Sequence, residues 1–332
     1  MREVADAAGV AMSSVSRVLS GHPDVSEEMR RRVMLAVDAL GYAPDMLAQS
    51  LRRRATLTIG FVAGDISNPL MASIVEGAER ELQRGEYAML LANSEGDAQR
   101  DADHVRLFEQ RRVDGLVLSL AREDHDDTLA ALDQTDVPRV AVDRQLPAEV
   151  RASGVFSDHR SGMREAVGHL LDLGHRRIGL ILGRPVRPAR ERLRGLEDAY
   201  ADRGLPRDYD VCEGVLSAEH GRRATVRLLD APEPPTAIVM GGNQLVLGTL
   251  QELRARSLTV GADVSLVGCD SISTTELYDP PIAVIRRDTA ELGRRAAELL
   301  LRRLDGAAAP ESVTLPTEFV PRASCAPPRE VR

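Results

Sequence analysis

The 332-residue chain contains no lysine and no tryptophan, and aromatic side chains make up only 3% of it. All 43 basic residues are arginines, a bias that we attribute to genome base composition rather than to function. Cysteine is scarce as well. Cys212, Cys269 and Cys325 lie far apart and form no C-x-x-C, which argues against a disulfide framework and predicts free thiols in a reducing compartment. The N-terminus lacks an apolar leader core, and no apolar run approaches the ~20 residues of a membrane span. A cytoplasmic protein with no membrane partner is expected. Catalytic signatures are missing too: there is no G-x-S-x-G, no G-x-G-x-x-G after a strand, no phosphate loop of the Walker type and no H-E-x-x-H. No catalytic residue, cofactor or metal site is expected. Finally, no general excess of positive charge is present. The net charge of −8 argues against nucleic-acid binding by the chain as a whole. It leaves room for one small module, because residues 1–54 hold eight arginines and seven acids, about +1, against about −9 for the remainder. The length suffices for two or three domains.

What is present begins at the N-terminus. Residues 7–21 read AAGVAMSSVSRVLSG. Two short segments of helical period flank Gly9. Val4, Ala5 and Ala8 share one face of the first, and Val15, Val18 and Leu19 share one face of the second. Two short helices about a tight glycine turn is the helix-turn-helix layout. The second helix turns Met12, Ser13, Ser14, Ser16 and Arg17 outward. This hydroxyl-rich surface with one long cation suits a major groove, where arginine reads guanine and hydroxyls reach phosphates. An ordinary αα-hairpin with a polar outside fits the spacing equally well. Ser26 predicts the N-cap of a third helix, with Glu27 and Glu28 at the positive end of its dipole. Met29, Val33, Ala36, Val37 and Leu40 form its inward stripe, and Gly41 closes it. Arg30, Arg31 and Arg32 read as a solvated charge run, with phosphate contact as the alternative. After Pro44 comes MLAQSLRRR, apolar at Met46, Leu47 and Leu51 and polybasic at its end. So short a helix is marginal alone, so the segment is either one that folds on DNA or a plain linker.

From Thr58 strands alternate with helices at βαβ spacing, predicting parallel, doubly wound sheets. TIGFVAG, AMLLANS, VDGLVLSL and VPRVAVDR read as one run of strands; RRIGLILG, YDVCEGV, TAIVMGG, VSLVGCD and IAVIRRD read as a second. Helices are predicted over 67–85, 101–111, 129–134, 160–173, 189–203, 218–229, 244–256 and 289–304. Two similar α/β lobes predict a cleft, and in open parallel sheets ligands bind beyond the carboxyl ends of strands. Asn93-Ser94, Asp143-Arg144, residues 241–243 and Asp270 occupy such ends. His169 and His175 are read as helix-capping residues rather than metal ligands, and the acidic run 123–127 as a solvated loop rather than a cation site.

In this order, VADAAGV…SSVSRVLSG, VSEEMRRRV, LGYAPDMLAQSLR, TIGFVAGDISNP, VDGLVLS, HLLDLGHRRIGLILG, RLRGLEDAY, VSLVGCD and YDPPIAVIRRD resemble the LacI/GalR family of bacterial transcriptional regulators over nearly the whole chain. The resemblance implies an all-α helix-turn-helix headpiece over 1–44 and a hinge helix or linker over 45–56. It implies a two-lobed α/β sensor, similar to periplasmic binding proteins, over 57–332. The N-lobe would take about 57–156 and 287–316, and the C-lobe about 157–286 and 317–326, with crossings near Ser157, Arg286 and Thr317. It further implies a homodimer on near-palindromic operator DNA, a repressor's logic, and a small sugar-like effector between the lobes. By the same resemblance Met12, Ser13 and Arg17 hold base-reading positions, and Ser14 and Ser16 phosphate-contacting ones. Leu51, beside Ala48, matches a leucine that wedges into the minor groove. Arg144, Asp158, Arg192 and Asp270 match positions that hydrogen-bond the effector. Asn243 joins them, in a Gly242-Asn243 pair where the family often carries Asn-Asp.

Departures from the pattern are informative. Ala11 replaces a serine, removing one phosphate contact, and Asp45 replaces an asparagine with a charge that phosphates repel. Leu70-Met71 replaces an aromatic pair and so removes a stacking surface. With Gly242-Asn243, this argues against a typical hexose effector. The competing readings are a cytoplasmic or secreted sugar-binding protein of the same sensor fold without DNA regulation, disfavoured by the presence of residues 1–54, and an α/β enzyme, disfavoured by the missing motifs.

Overall fold

The computed structural model describes residues 1–19, 22–42, 55–306 and 309–329. It divides into two compact units, Met1–Leu57 and Thr58–Arg332. In the first, the periodic segments fold as α1 (Arg2–Ala8), α2 (Met12–Leu19) and α3 (Glu27–Leu40). Gly9 ends α1 in the left-handed region at φ 61°, a conformation costly for a residue with a Cβ. Arg32 reaches back from α3 and donates to the carbonyls of Ala8 at 2.5 Å and Gly9 at 3.2 Å. It thereby satisfies acceptors that the end of α1 leaves open. One of the three arginines read as a solvated run is therefore a tie that fixes the turn. Ser26 caps α3 by accepting the Met29 N–H at 3.3 Å, and Gly41 closes it at φ 56°. The core is small: Val4, Ala5, Ala8, Val15, Val18, Val33 and Ala36. Leu40, placed by periodicity on the inward stripe, is exposed, because the core ends at Ala36 and Val37, one turn short of the helix terminus.

The second unit contains two sheets. The first lobe is built from β1 (Thr58–Ala63), α4 (Pro69–Arg84), β2 (Ala88–Asn93), α5 (Ala98–Gln110), β3 (Gly115–Leu118), α6 (Asp126–Asp133), β4 (Arg139–Val142) and β5 (Ser153–Ser157). The second lobe follows with α7 (His159–Asp172), β6 (Ile178–Leu182), α8 (Arg187–Asp202), β7 (Tyr209–Glu213), α9 (Ala218–Leu229), β8 (Ala237–Met240), α10 (Asn243–Ala255), β9 (Ser265–Cys269), α11 (Ser273–Leu277) and β10 (Ala283–Arg286). The chain then returns to the first lobe for α12 (Thr289–Leu304) and β11 (Ser312–Leu315), and ends in the second with β12 (Glu318–Val320). The sheet orders are β11-β5-β4-β3-β1-β2 and β12-β10-β9-β8-β6-β7. Among the described residues the pairings are parallel except β10 with β12, which is antiparallel. Passages between lobes follow Ser157, Arg286 and Leu315.

Periodicity reads most of these elements, but β5, β11, β12 and α11 escape it. They are short, and β5 (SGVFS) and β11 (SVTL) mix polar and apolar residues. The central strands β1, β3, β4, β6, β8 and β9 are apolar and buried because helices cover both faces of each sheet, whereas the edge strands β2 and β7 are partly exposed. Ile74, Ala78 and Leu82 of α4 pack with Ile59, Phe61 and Leu292, and Leu180, Leu182, Leu196 and Val267 anchor the other lobe. In each lobe helices meet backbone to backbone. A Cβ on Gly293 of α12 would lie 1.8 Å from the Ile74 carbonyl, and one on Gly248 of α10 would lie 1.7 Å from that of Ala218. These contacts fix the position of α4 and α10, whose first turns face the cleft.

Candidate DNA-contact helix and ligand cleft

On α2 the inward positions Val15 and Val18 are buried, which leaves the other side of the helix outward. Met12 is 53% exposed, Ser13 and Arg17 are exposed, and Ser14 and Ser16 are half-buried. Thus five of the proposed DNA-contact side chains lie together on one helix flank, with the long arginine in its last turn. Ala48 and Leu51 lie outside the described residues.

In the second unit, the carboxyl ends of both sheets surround a cavity of about 230 Å³. Arg144, Arg192, Asn243 and Asp270 all line it, with Asp65, Asn68, Asp143, Arg184, Gln244 and Arg287. Asp158 does not. It caps α7, accepting the Ser161 N–H at 3.1 Å, and its carbonyl accepts from the Thr317 hydroxyl at 2.8 Å. Its carboxylate is thus committed to a helix end at the lobe crossing, which corrects the expectation that it faces the ligand.

Polar bonds cross the cleft. Asn68 N-caps α4 and exchanges amide hydrogen bonds with Asn243, at 2.9 and 3.3 Å. Gln244 donates to Asp65 at 2.8 Å, and Arg184 donates to the Gly96 carbonyl. At the far side Glu123 is buried. It accepts the Arg187 N–H at 2.9 Å and pairs with Arg190 at 2.7 Å, both at the start of α8 in the opposite lobe. No side chain of the helix itself caps that end, so Glu123 supplies an acceptor to its open N–H groups and favourable charge to its dipole. The first acid of the presumed solvated run is therefore an interlobe tie.

The floor of the cleft repeats one backbone device in both lobes. Asp143 follows β4 with φ 49°, and Asp270 follows β9 with φ 73°. Aspartate tolerates this left-handed region better than most residues. Each Asp N–H donates to the neighbouring strand: Asp143 to Val155 at 2.9 Å, Asp270 to Ile285 at 2.8 Å. Two residues beyond each acceptor stands the partner of the carboxylate. In the first lobe it is Ser157, whose N–H donates to Asp143 at 2.7 Å. In the second it is Arg287, whose Nε donates to Asp270 at 2.6 Å. Arg287 also donates to Asp143 through its terminal nitrogen, so one guanidinium joins the two lobes through two buried carboxylates. Sequence reading passes over Arg287. The signal that could have found it is a second arginine directly after the buried strand IAVIR.

Charge in this floor is tightly constrained. Burial raises the Asp143 carboxyl, but His159 and Arg287 beside it outweigh burial and hold it well below the usual carboxylate range. Burial lowers the Arg287 guanidinium, and Asp270 and Asp143 more than restore it. His159, the first residue of α7, is pushed down to about 4, chiefly by burial and then by Arg192, so it is neutral near pH 7. Burial also lowers Arg144. Arg192 donates to the Gly241 carbonyl at 2.8 Å, and Arg144 to the carbonyls of Leu120 and Asp143. Arg192 and Asp270 are not a pair; Asp270 belongs to Arg287. His175, expected to cap a helix, is instead buried, bonding Thr236 at 2.8 Å and the Ala326 carbonyl at 2.9 Å. Among the described residues no cluster suits a metal ion and no helix is long and apolar enough to cross a membrane.

Known proteins match this architecture in both units. Residues 1–45 match the model of bacterial regulatory proteins of the lacI family, and residues 167–325 that of the periplasmic binding protein-like domain. The HTH-type transcriptional repressor PurR of Photobacterium profundum is 30% identical over 308 residues, 92% of this chain and 91% of that protein. CytR of Escherichia coli K12, also an HTH-type transcriptional repressor, is 30% identical over 92% of this chain and 90% of its own length. Among solved structures, the lac repressor dimer bound to operator and the anti-inducer ONPF superposes with a TM-score of 0.85 at 28% identity, covering 97% of this chain and 98% of that one. A complex of the regulator CelR with cellobiose superposes with a TM-score of 0.74 at 30% identity, over 97% and 98%. A headpiece with a groove-sized outer flank, a two-lobed cleft and these relatives lead to one assignment: the chain is a DNA-binding transcriptional regulator and belongs to the lacI family of bacterial regulatory proteins.

Proposed function

We propose that the chain represses transcription as a homodimer on a near-palindromic operator, and that a small molecule held between the lobes sets its operator affinity. The observation that carries this reading is the cleft floor, where groups from both lobes converge on one cavity in a chain that also bears a DNA-contact helix. Arg144, Arg192, Asn243 and Asp270 are the effector contacts in this reading; Met12, Ser13 and Arg17 read bases, Ser14 and Ser16 contact phosphates, and Ala48 and Leu51 act in the minor groove. The structures with ONPF and cellobiose support a polyhydroxylated effector, and the operator-bound lac repressor dimer supports the assembly. In this reading the chain works in the cytoplasm, where its DNA partner lies, and no residue is given a catalytic role. Ligand that favours one lobe angle shifts the equilibrium between operator-binding and weakly binding states by its differential affinity for them.

Arg17→Ala tests the DNA half. It should cost roughly 1–3 kcal/mol on the specific site and much less on unrelated DNA. Equal losses on both would make Arg17 a phosphate contact. A thermal-shift screen tests the other half, since a ligand at 100 times its Kd stabilises by about 2.7 kcal/mol.

A further inference from the structure

The similarity to a CelR–cellobiose complex raises the question of which ligand chemistry this cleft accepts. Sugar hydroxyls need acceptors as well as donors. Asp143 and Asp270 are the carboxylates of the cleft floor, and both are already engaged. Asp143 accepts the Ser157 N–H and hydroxyl and an Arg287 N–H, and Asp270 accepts Arg287 Nε. At the rim, Asp65 is held by Gln244 and Glu95 by Arg100. The donors are differently placed. Arg144 and Arg192 come from opposite lobes, line the same cavity, and donate to main-chain carbonyls. Neither forms an ion pair with a carboxylate among the described residues. A guanidinium carries five N–H donors and no acceptor; the carbonyl bonds named above leave donors over in both.

The cavity is lined by three guanidiniums (Arg144, Arg192, Arg287) and by the floor carboxylates Asp143 and Asp270, with buried Glu123 and Asp101 also acting on Arg144 and His159 neutral. Arginine is the side chain best matched to carboxylate and phosphate oxygens, and the donors that Arg144 and Arg192 keep open suit an anion.

We infer that Arg287 is a specificity-determining residue, an internal cation that occupies the two acidic acceptors of the cleft. It thereby selects an effector bearing an anionic head, a carboxylate or a phosphate on a small hydroxylated body, over a neutral sugar. The anionic head lies between Arg144 and Arg192. This rests on the reading that the cleft is the effector site. Asp270, at the end of its strand, turns Oδ1 to Arg287 Nε rather than to the cavity.

The test uses the full-length protein in calorimetric titrations with three probes of similar size: D-ribose as the neutral arm, D-gluconate as the carboxylate arm and D-ribose 5-phosphate as the phosphate arm. At least one anionic probe should bind at least tenfold more tightly than ribose, and which anion wins identifies the head group. Arg287→Gln, which removes the cation from both carboxylates, should narrow or reverse that preference, weakening the anion and strengthening ribose. Should that variant not fold, Arg144→Gln gives a second reading: the anion loses at least tenfold and ribose changes little. Ribose binding as tightly as either anion, or no anion binding at all, overturns the inference. Operator affinity measured in the same solutions separates this from the underlying reading. A neutral sugar that binds and changes operator affinity contradicts the anionic preference and leaves effector control standing; an anion that binds in the cleft without changing operator affinity does the reverse.

Discussion

Arg17 and Arg287 show how differently the two halves of this protein use the same side chain. Arg17 lies exposed on a helix flank whose other side is a valine-lined core, so its expected role is an encounter with something outside the chain. Arg287 is buried between carboxylates of two lobes, and its partners are internal. A surface arginine contributes little to folding, whereas a buried one cannot lose a partner cheaply. The headpiece site is therefore separable from stability, and the cleft floor is not.

The largest predicted effect comes from breaking the floor. Arg287→Ala leaves Asp143 and Asp270 buried without their cation and should destabilise the second unit by about 3–5 kcal/mol. Arg17→Ala should shift denaturant unfolding by no more than about 1 kcal/mol. Equal midpoints for both variants would erase the contrast.

Acid sharpens the same comparison. His159 sits at about 4 in the folded protein against about 6.5 in an unfolded chain. The unfolded state therefore binds the extra proton first as pH falls. The stability tied to the neutral imidazole is complete above about pH 6.5 and is lost progressively between pH 6.5 and pH 4, by an amount on the order of 3 kcal/mol. Asp143, held below the usual range, adds a loss only at still lower pH. Unfolding followed from pH 7 to pH 4 should show this slope, and His159→Gln should flatten it. A wild-type slope retained in the variant would assign the effect to another group.

Much of this was legible beforehand, for reasons that differ along the chain. The DNA-contact flank is local: Met12 to Arg17 are consecutive turns of one helix, and period alone separates Val15 and Val18 from the outward residues. Strand ends were equally readable, which is why Asp143, Arg144, Asn243 and Asp270 could be placed at the cleft. Their partners were not. Asp143 and Arg287 are 144 positions apart, as Glu123 and Arg187 are 64 apart, and no pattern in a single sequence ties such residues together. Asp158 shows the opposite error: the matching position suggested a ligand contact, while the Asp-x-x-Ser spacing to Ser161 already allowed an N-cap.

Two smaller effects refine the picture. Leu51→Ala should weaken operator binding by about 1 kcal/mol or more if an unstacked base step is the partner of the side chain, with dimerisation and ligand binding unaltered. Equal affinity and equal DNA bending in the variant would remove the wedge. Glu123→Gln keeps the shape of the interlobe tie and removes its charge. It should weaken effector binding by about 1 kcal/mol through the lost charge-assisted bonds to α8, without changing operator affinity in the absence of effector. A full-strength response in titration calorimetry would make Glu123 a bystander.

The central claim is that the cleft and the DNA-contact helix are energetically coupled, and the most direct measurement is a reciprocal titration. Operator, recovered by binding selection from random DNA, is titrated with protein with and without a saturating cleft ligand, and the ligand is titrated with and without saturating operator. Coupling of this kind is usually about 1–3 kcal/mol and must be the same in both directions. The account predicts one factor, roughly 5- to 150-fold, from both titrations. A ligand that binds tightly in the cleft while both factors equal one would contradict it.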